Sequence, residues 1–233
     1  GGRYAGHYAG GGEIVSEKGT MLEIDTQAEI EKIIRQLDTL PNRLKAPDVL
    51  ASALNATANE MKRKIGQRTR KRYAISNKKV LTDRKMGGMY LEKATGSNGS
   101  ATLFSRGGML EVMNYMTRKN TKTTAAMLKV LNESSFVTLE KNGSKAFEAT
   151  FESGHTAIVQ RVPGEFYTRG REKREEKYGK KADMTKIKTL MAPAVPMMYG
   201  KTYEEATQDY YSILQKHIQR EVERVLDGFG RAA

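Results

Sequence analysis

Residues 151–166 read FESGHTAIVQRVPGEF, and KAFEAT (145–150) stands directly before them. Phe, Thr, Ile and Val favour a pleated, half-buried surface, and Ser153-Gly154 between two such runs is turn chemistry. The segment therefore reads as a β-hairpin with His155 at its turn. A general base needs a partner held within hydrogen-bond reach. Glu152 is close in sequence, but it flanks the same turn and faces solvent. His155 reads as a turn residue without chemistry.

Similar runs lie on either side. SFVTLEK (135–141) precedes the hairpin, joined to it through the turn Lys141-Asn142-Gly143-Ser144. MYLEKAT (89–95) and ATLFSR (101–106) flank GSNGS, a second hairpin signal. MLEVMNYM (109–116) continues the sheet, and TKTTAAMLKVL (121–131) reads as a short helix or an arm. YTRGREKREEKYGKK (167–181) is a charged loop of mixed sign. The prolines of KIKTLMAPAVPMMYG (186–200) predict an extended segment.

Helical patterns stand at both ends of this β-rich region. Thr26 and Glu29 resemble a capping box, and Ile30, Ile33, Ile34, Leu37 and Leu40 follow at helical steps until Pro41. A second helix begins near Pro47 and places Leu50, Leu54, Met61 and Ile65 on one face. A long amphipathic helix is expected over 203–226, with Tyr210, Ile213, Leu214, His217 and Ile218 in its stripe. The order predicts an α+β fold: an antiparallel sheet of about five strands packed with N-terminal helices and a C-terminal helix. Residues 1–25 are expected to form a glycine-rich arm, residues 26–228 a single domain, and residues 229–233 a short tail.

The chain has 233 residues, no cysteine, no tryptophan and twelve methionines. Without cysteine there are no disulfides or thiolate zinc sites, which fits synthesis in a reducing cytoplasm. No apolar run is long enough to span a bilayer. The formal net charge is +13, which favours polyanionic neighbours: nucleic acid or an acidic protein surface. Seven of the cations, Lys62, Arg63, Lys64, Arg68, Arg70, Lys71 and Arg72, fall within eleven residues. On a helix they wrap most of the circumference. That is more than a helix end needs for its dipole, and it points to phosphate or to an acidic partner. No helix-turn-helix or zinc-finger pattern accompanies them, and few aromatics are interleaved for base stacking. Met191, Pro193, Val195, Pro196, Met197 and Met198 form an apolar, proline-punctuated stretch read as an assembly surface.

Catalytic patterns are not found. His7, His155 and His217 are scattered, and neither a G-x-S-x-G motif nor a complete phosphate loop, G-x-x-x-x-G-K-[ST], occurs. Glu148 and Glu152 are spaced to share a strand face, without a basic partner to complete a nuclease site. No cofactor or metal site is expected, and no catalytic residue.

Several segments, in order, resemble a known family. They are RTRKRY (68–73), ISNKKVL (75–81), LEKATGSNGSATL (91–103), FEATFESGHTAIVQR (147–161), the charged loop, and KIKTLMAPAVPMM (186–198) before a long helix. This order is similar to that of the minor tail protein Z family and related tail-completion, or neck, proteins of long-tailed phages. There a strand–turn–strand ending in Q-R or R-R precedes a charged loop and an I-x-x-L-x-x-P-x-V-P segment, here Ile187, Leu190, Pro193, Val195 and Pro196. The resemblance spans about residues 26–228 and rests on order and spacing. It implies a non-catalytic virion protein at the head-proximal end of the tail, made in the host cytoplasm. The implied partners are copies of itself in a ring, with hexamers expected, and the tail terminator and tube proteins. Head-completion or connector proteins, the tape-measure protein and the genomic double-stranded DNA complete the set. The competing reading is a sequence-nonspecific nucleic-acid-binding protein.

Overall fold

A computed structural model describes residues 7–8, 11–16, 19–24, 47–97, 99–168, 170–179 and 183–230. The helix expected over 26–40 lies outside the described residues. The fold is α+β, with antiparallel sheets throughout. By its internal contacts the chain forms two compact units. The first comprises Gly1–Lys71, Lys78–Met109 and Pro193–Ala233; the second comprises Arg72–Asn77 and Leu110–Ala192.

In the first unit, β1 (His7–Tyr8), β2 (Gly11–Ser16) and β3 (Gly19–Ile24) come from the glycine-rich start. Helix α1 spans Pro47–Arg72, followed by 3-10 turns at Lys78–Leu81 and Arg84–Met86. The expected hairpin follows as β4 (Tyr90–Glu92) and β5 (Thr102–Gly107), with Tyr90 opposite Phe104 and Leu91 opposite Leu103. β3 adds to the other edge of β5, from Thr20 opposite Gly107 to Ile24 opposite Leu103. The sheet order is β1-β2-β3-β5-β4. This five-stranded sheet is not the one expected from residues 89–162, because three of its strands precede α1.

The second unit contains β6 (Leu110–Glu111), β7 (Met116–Arg118), β8 (Met127–Lys129) and β9 (Val137–Thr138). Then come β10 (Glu140–Lys141), β11 (Ser144–Lys145), β12 (Phe147–Thr150) and β13 (Thr156–Phe166). Helix α2 (Arg171–Tyr178), β14 (Thr185–Thr189) and β15 (Met191–Ala192) complete it. The opening hairpin is β12–β13, with Phe147 opposite Val159 and Thr150 opposite Thr156, and β14 extends it. Ala146, Ala157, Ile158 and Val159 sink into the core with Val112 and Tyr115. Burial pushes the Tyr115 phenol well above its ordinary pKa, and nearby Tyr73 adds to the shift.

Two local expectations fail in this unit. Residues 121–131 hold strand β8 where a short helix or an arm was expected. The strand pairs with β7 (Thr117 opposite Leu128) and β9 (Leu128 opposite Val137), so tertiary partners override the helix propensity of Met127, Leu128 and Lys129. The charged loop 167–181 is partly helical: α2 carries an i,i+4 pair, Arg171 to Glu175 at 2.8 Å.

The chain then returns to the first unit as α3 (Val195–Gly230). The segment read as extended through Gly200 is a strand only as far as Ala192, and the helix starts at Val195. Pro196 stands in the first turn of α3, where no intrahelical N–H is required of it. α3 lies against β3 and β5. Val195, Met198, Tyr199, Ile213 and Leu214 are buried in this unit with Leu54, Met61 and Ile65 of α1 and Leu103 of β5. Gly87, at φ 107°, shapes the turn beside this core, and Ser105 donates to its carbonyl at 2.6 Å.

Candidate functional site

The basic end of α1 is the strongest functional signal of the sequence, and the structure sorts its cations. Apolar residues at helical spacing bury one face: Ala51, Leu54, Ala58, Met61 and Ile65 are all inside. Thr69 is also buried; its hydroxyl bonds the Ile65 carbonyl and meets Thr202 Oγ1 of α3 at 2.8 Å. Lys64 and Arg68 flank this face and turn toward α3. Lys64 Nζ lies 3.5 Å and Arg68 Nη2 2.8 Å from the same Asp209 carboxylate. Arg68 Nη1 also donates to the Glu205 carbonyl at 2.6 Å. These two side chains fasten α1 to α3.

The rest of the run looks outward. Arg63, Arg70, Lys71 and Arg72 are exposed and Lys62 is half-buried. With 3.6 residues per turn, Arg63 and Arg70 point within about 20° of each other, and Asn59, Gly66 and Gln67 fall within about 60° of that line. Arg63 and Arg70 thus share a stripe, while Lys71 points about 80° and Arg72 about 180° away from Arg63. Arg63 touches Glu60 only loosely, at 4.0 Å. The 3-10 turns of the same unit add exposed Lys78, Lys79, Arg84 and Lys85. Arg84 lies over the Tyr90 ring at 3.8 Å, and Tyr90 stacks on Phe104 at 5.4 Å. These aromatics accompany Arg84 of the 3-10 turn, and their register across the β4–β5 hairpin is the sequence signal for them.

The apolar stretch 191–198 divides. Val195, Pro196 and Met198 are buried and serve the core, Pro193 is half-buried, and Met191 and Met197 stay exposed. Only those last two present surface. Burial of Val195 and Met198 follows from the early start of α3, which turns them inward.

His155 and His217 each find a carboxylate. His155 sits in the turn before β13, where Gly154 takes φ 81°; its Nε2 lies 3.0 Å from Glu111, and its ring stacks on Phe151. The partner is 44 residues away in sequence and is not the neighbouring Glu152. Glu148 and Glu152 do not share a strand face, since β12 ends at Thr150; Glu148 pairs with Lys119 at 2.8 Å. His217 Nε2 meets Glu60 Oε2 at 2.9 Å between α3 and α1. That hydrogen bond, assisted by Lys216 and Lys64, holds the Glu60 carboxyl below the usual carboxylate range against the opposing effect of burial. Tyr199 donates to the Leu81 carbonyl at 2.7 Å, and its burial pushes the phenol up to about 12.

Among the described residues no group of three or more His, Asp or Glu is placed to hold a metal ion. No described helix is long and apolar enough to cross a membrane. Comparison with protein-family profiles, with curated proteins and with solved structures returns no match. The functional reading therefore rests on the residues themselves.

Proposed function

We propose that this chain is a structural subunit of a phage virion, placed at the head-proximal end of the tail. It completes the tail for joining to the head and borders the DNA passage, without catalysis. Copies assemble into a closed ring, a hexamer by the family resemblance. The tail terminator, tube, tape-measure and head-completion proteins are its neighbours, and genomic DNA is held without sequence reading. The protein resides in the virion and assembles in the host cytoplasm.

The observation that carries this reading is the outward cationic stripe on α1. Residues 62–85 hold eleven Lys and Arg and one carboxylate, Asp83, and Asp209 of α3 pairs with two of those cations, Lys64 and Arg68. Such a field suits a phosphate wall and needs no base contacts. Exposed Met109 and Met197 on the first unit, and Met116, Val137, Phe166 and Met191 on the second, supply apolar surface that neighbouring subunits would cover. The same stripe also suits a standalone nucleic-acid-binding protein, and oligomeric state separates the two. Mass measurement and negative-stain imaging of the purified protein, with and without tail tubes, is the test. Rings, or monomers that close into rings on tube ends, support the neck reading. A monomer that ignores tubes and coats DNA replaces it with the second.

A further inference from the structure

Gly66 lies in the exposed stripe of α1, between Lys62 and Arg70 one turn to either side. Glycine is the poorest helix former after proline, and here it occupies the interior of a long helix. Nothing in its own unit requires it. Its φ is not in the left-handed region, and a Cβ built on it meets no atom within 4 Å. A helix-weakening residue with open space above it, ringed by Arg63, Gln67 and Arg70, is the arrangement in which a ligand approaches the backbone closely.

We infer that Asn59, Arg63, Gly66, Gln67 and Arg70 form the seat for one strand of a DNA duplex, with a phosphate lying over Gly66. This deepens the neck reading, because it states how the helix meets the genome, and for the choice of ligand it rests on that reading. The stripe contains no apolar residue, whereas the centre of a protein–protein interface is apolar and depleted in charge. Polar, cationic surfaces are the kind that meet DNA. Arg, Asn and Gln are the side chains that position a protein on phosphates. Lys64 and Arg68 take no part, since Asp209 holds both. The seat therefore has fewer charges than the run suggests, and backbone proximity at Gly66 compensates.

Anisotropy titration of the full chain with a short fluorescein-labelled duplex, at several salt concentrations, tests this, alongside thermal melting. Gly66→Leu should melt no lower than the parent, since leucine is the better helix former. It should bind duplex about tenfold more weakly, through loss of the nearest phosphate contacts. Gly66→Ala should melt higher and lose less affinity. The Arg63→Gln/Arg70→Gln pair should lower the slope of log K against log salt by about 2. Parent-like duplex binding by Gly66→Leu overturns the inference, as does a parent that binds no duplex. It also falls if Gly66→Leu abolishes ring closure or capture of an acidic tail protein while DNA binding persists. If rings never form but Gly66→Leu still loses duplex, the seat stands and the neck reading falls. Rings with an inert Gly66→Leu give the reverse.

Discussion

The Glu60–His217 pair is the sharpest point at which to test the packing of α1 against α3. Both side chains are mostly buried, at 19% and 12% exposure, and the bond is 2.9 Å. Glu60→Gln keeps the shape and leaves a neutral hydrogen bond in place of one to a carboxylate. Bonds to charged groups contribute about 1.5–3 kcal/mol and neutral ones about 0.5–1.5, so the change costs about 1 kcal/mol near neutrality. In a chain of this size that lowers the melting temperature by about 2–4 °C. The pH dependence follows from the depressed Glu60 pKa. The unfolded chain binds this proton more readily than the folded one, so the carboxylate stabilises fully above its ordinary value of 4.5. That contribution is lost as pH falls through the lower folded value. Melting followed by circular dichroism across the acid-to-neutral range should show a constant gap between parent and Glu60→Gln above about pH 5 that closes below about pH 4. A gap as wide in acid as at neutrality, or no gap at neutrality, would refute the pairing as the source of stability.

Other substitutions probe separate parts of the structure. Gly87→Ala places a Cβ 2.9 Å from Val195 Cβ at φ 107°, and clash and backbone strain together should cost about 3 kcal/mol, read by denaturant unfolding. Tyr199→Phe leaves the buried Leu81 carbonyl without its 2.7 Å donor and should cost about 1–3 kcal/mol. Ultraviolet titration of the parent should show a phenol ionising at about pH 12 that is lost in Tyr199→Phe, while the Tyr115 phenol still resists ionisation in both. His155→Ala removes an exposed pair with Glu111 and should change stability by no more than about 0.5 kcal/mol. A large loss there would mean that the turn has a structural role beyond that pair.

Local chemistry made much of the architecture readable. Strand-forming runs around Ser153-Gly154 and around the 96–100 turn specify β12–β13 and β4–β5, and helical spacing of Leu54, Met61 and Ile65 specifies the buried face of α1. What escaped depends on distant partners. Strand β8 consists of Met127, Leu128 and Lys129, all good helix formers, and becomes a strand because β7 and β9 bracket it. Pro193 and Pro196 suggested extension, yet a proline in a helix's first turn loses no bond, so α3 starts earlier than its periodicity shows. The basic run looked uniform because the residue that divides it, Asp209, lies 141 positions from Arg68. Gly66 is silent in the sequence for the opposite reason: only the surrounding structure shows that a Cβ there would meet no atom within 4 Å.

The first unit is discontinuous, and this sets an order of events during synthesis. Its core joins Glu60 to His217 across 157 positions and Thr69 to Thr202 across 133. The second unit is complete once Ala192 has been made, while the first still lacks the helix that covers Leu54, Met61 and Ile65. Contacts this distant are slow to form, because the loop must close before it is rewarded. A nascent chain can thus finish one unit while the other stays open, and α1 is fixed against its partner only after α3 emerges. The cationic surface of α1 thus takes its final setting only once α3 has been made, and the ligand that we propose for it would meet it no earlier.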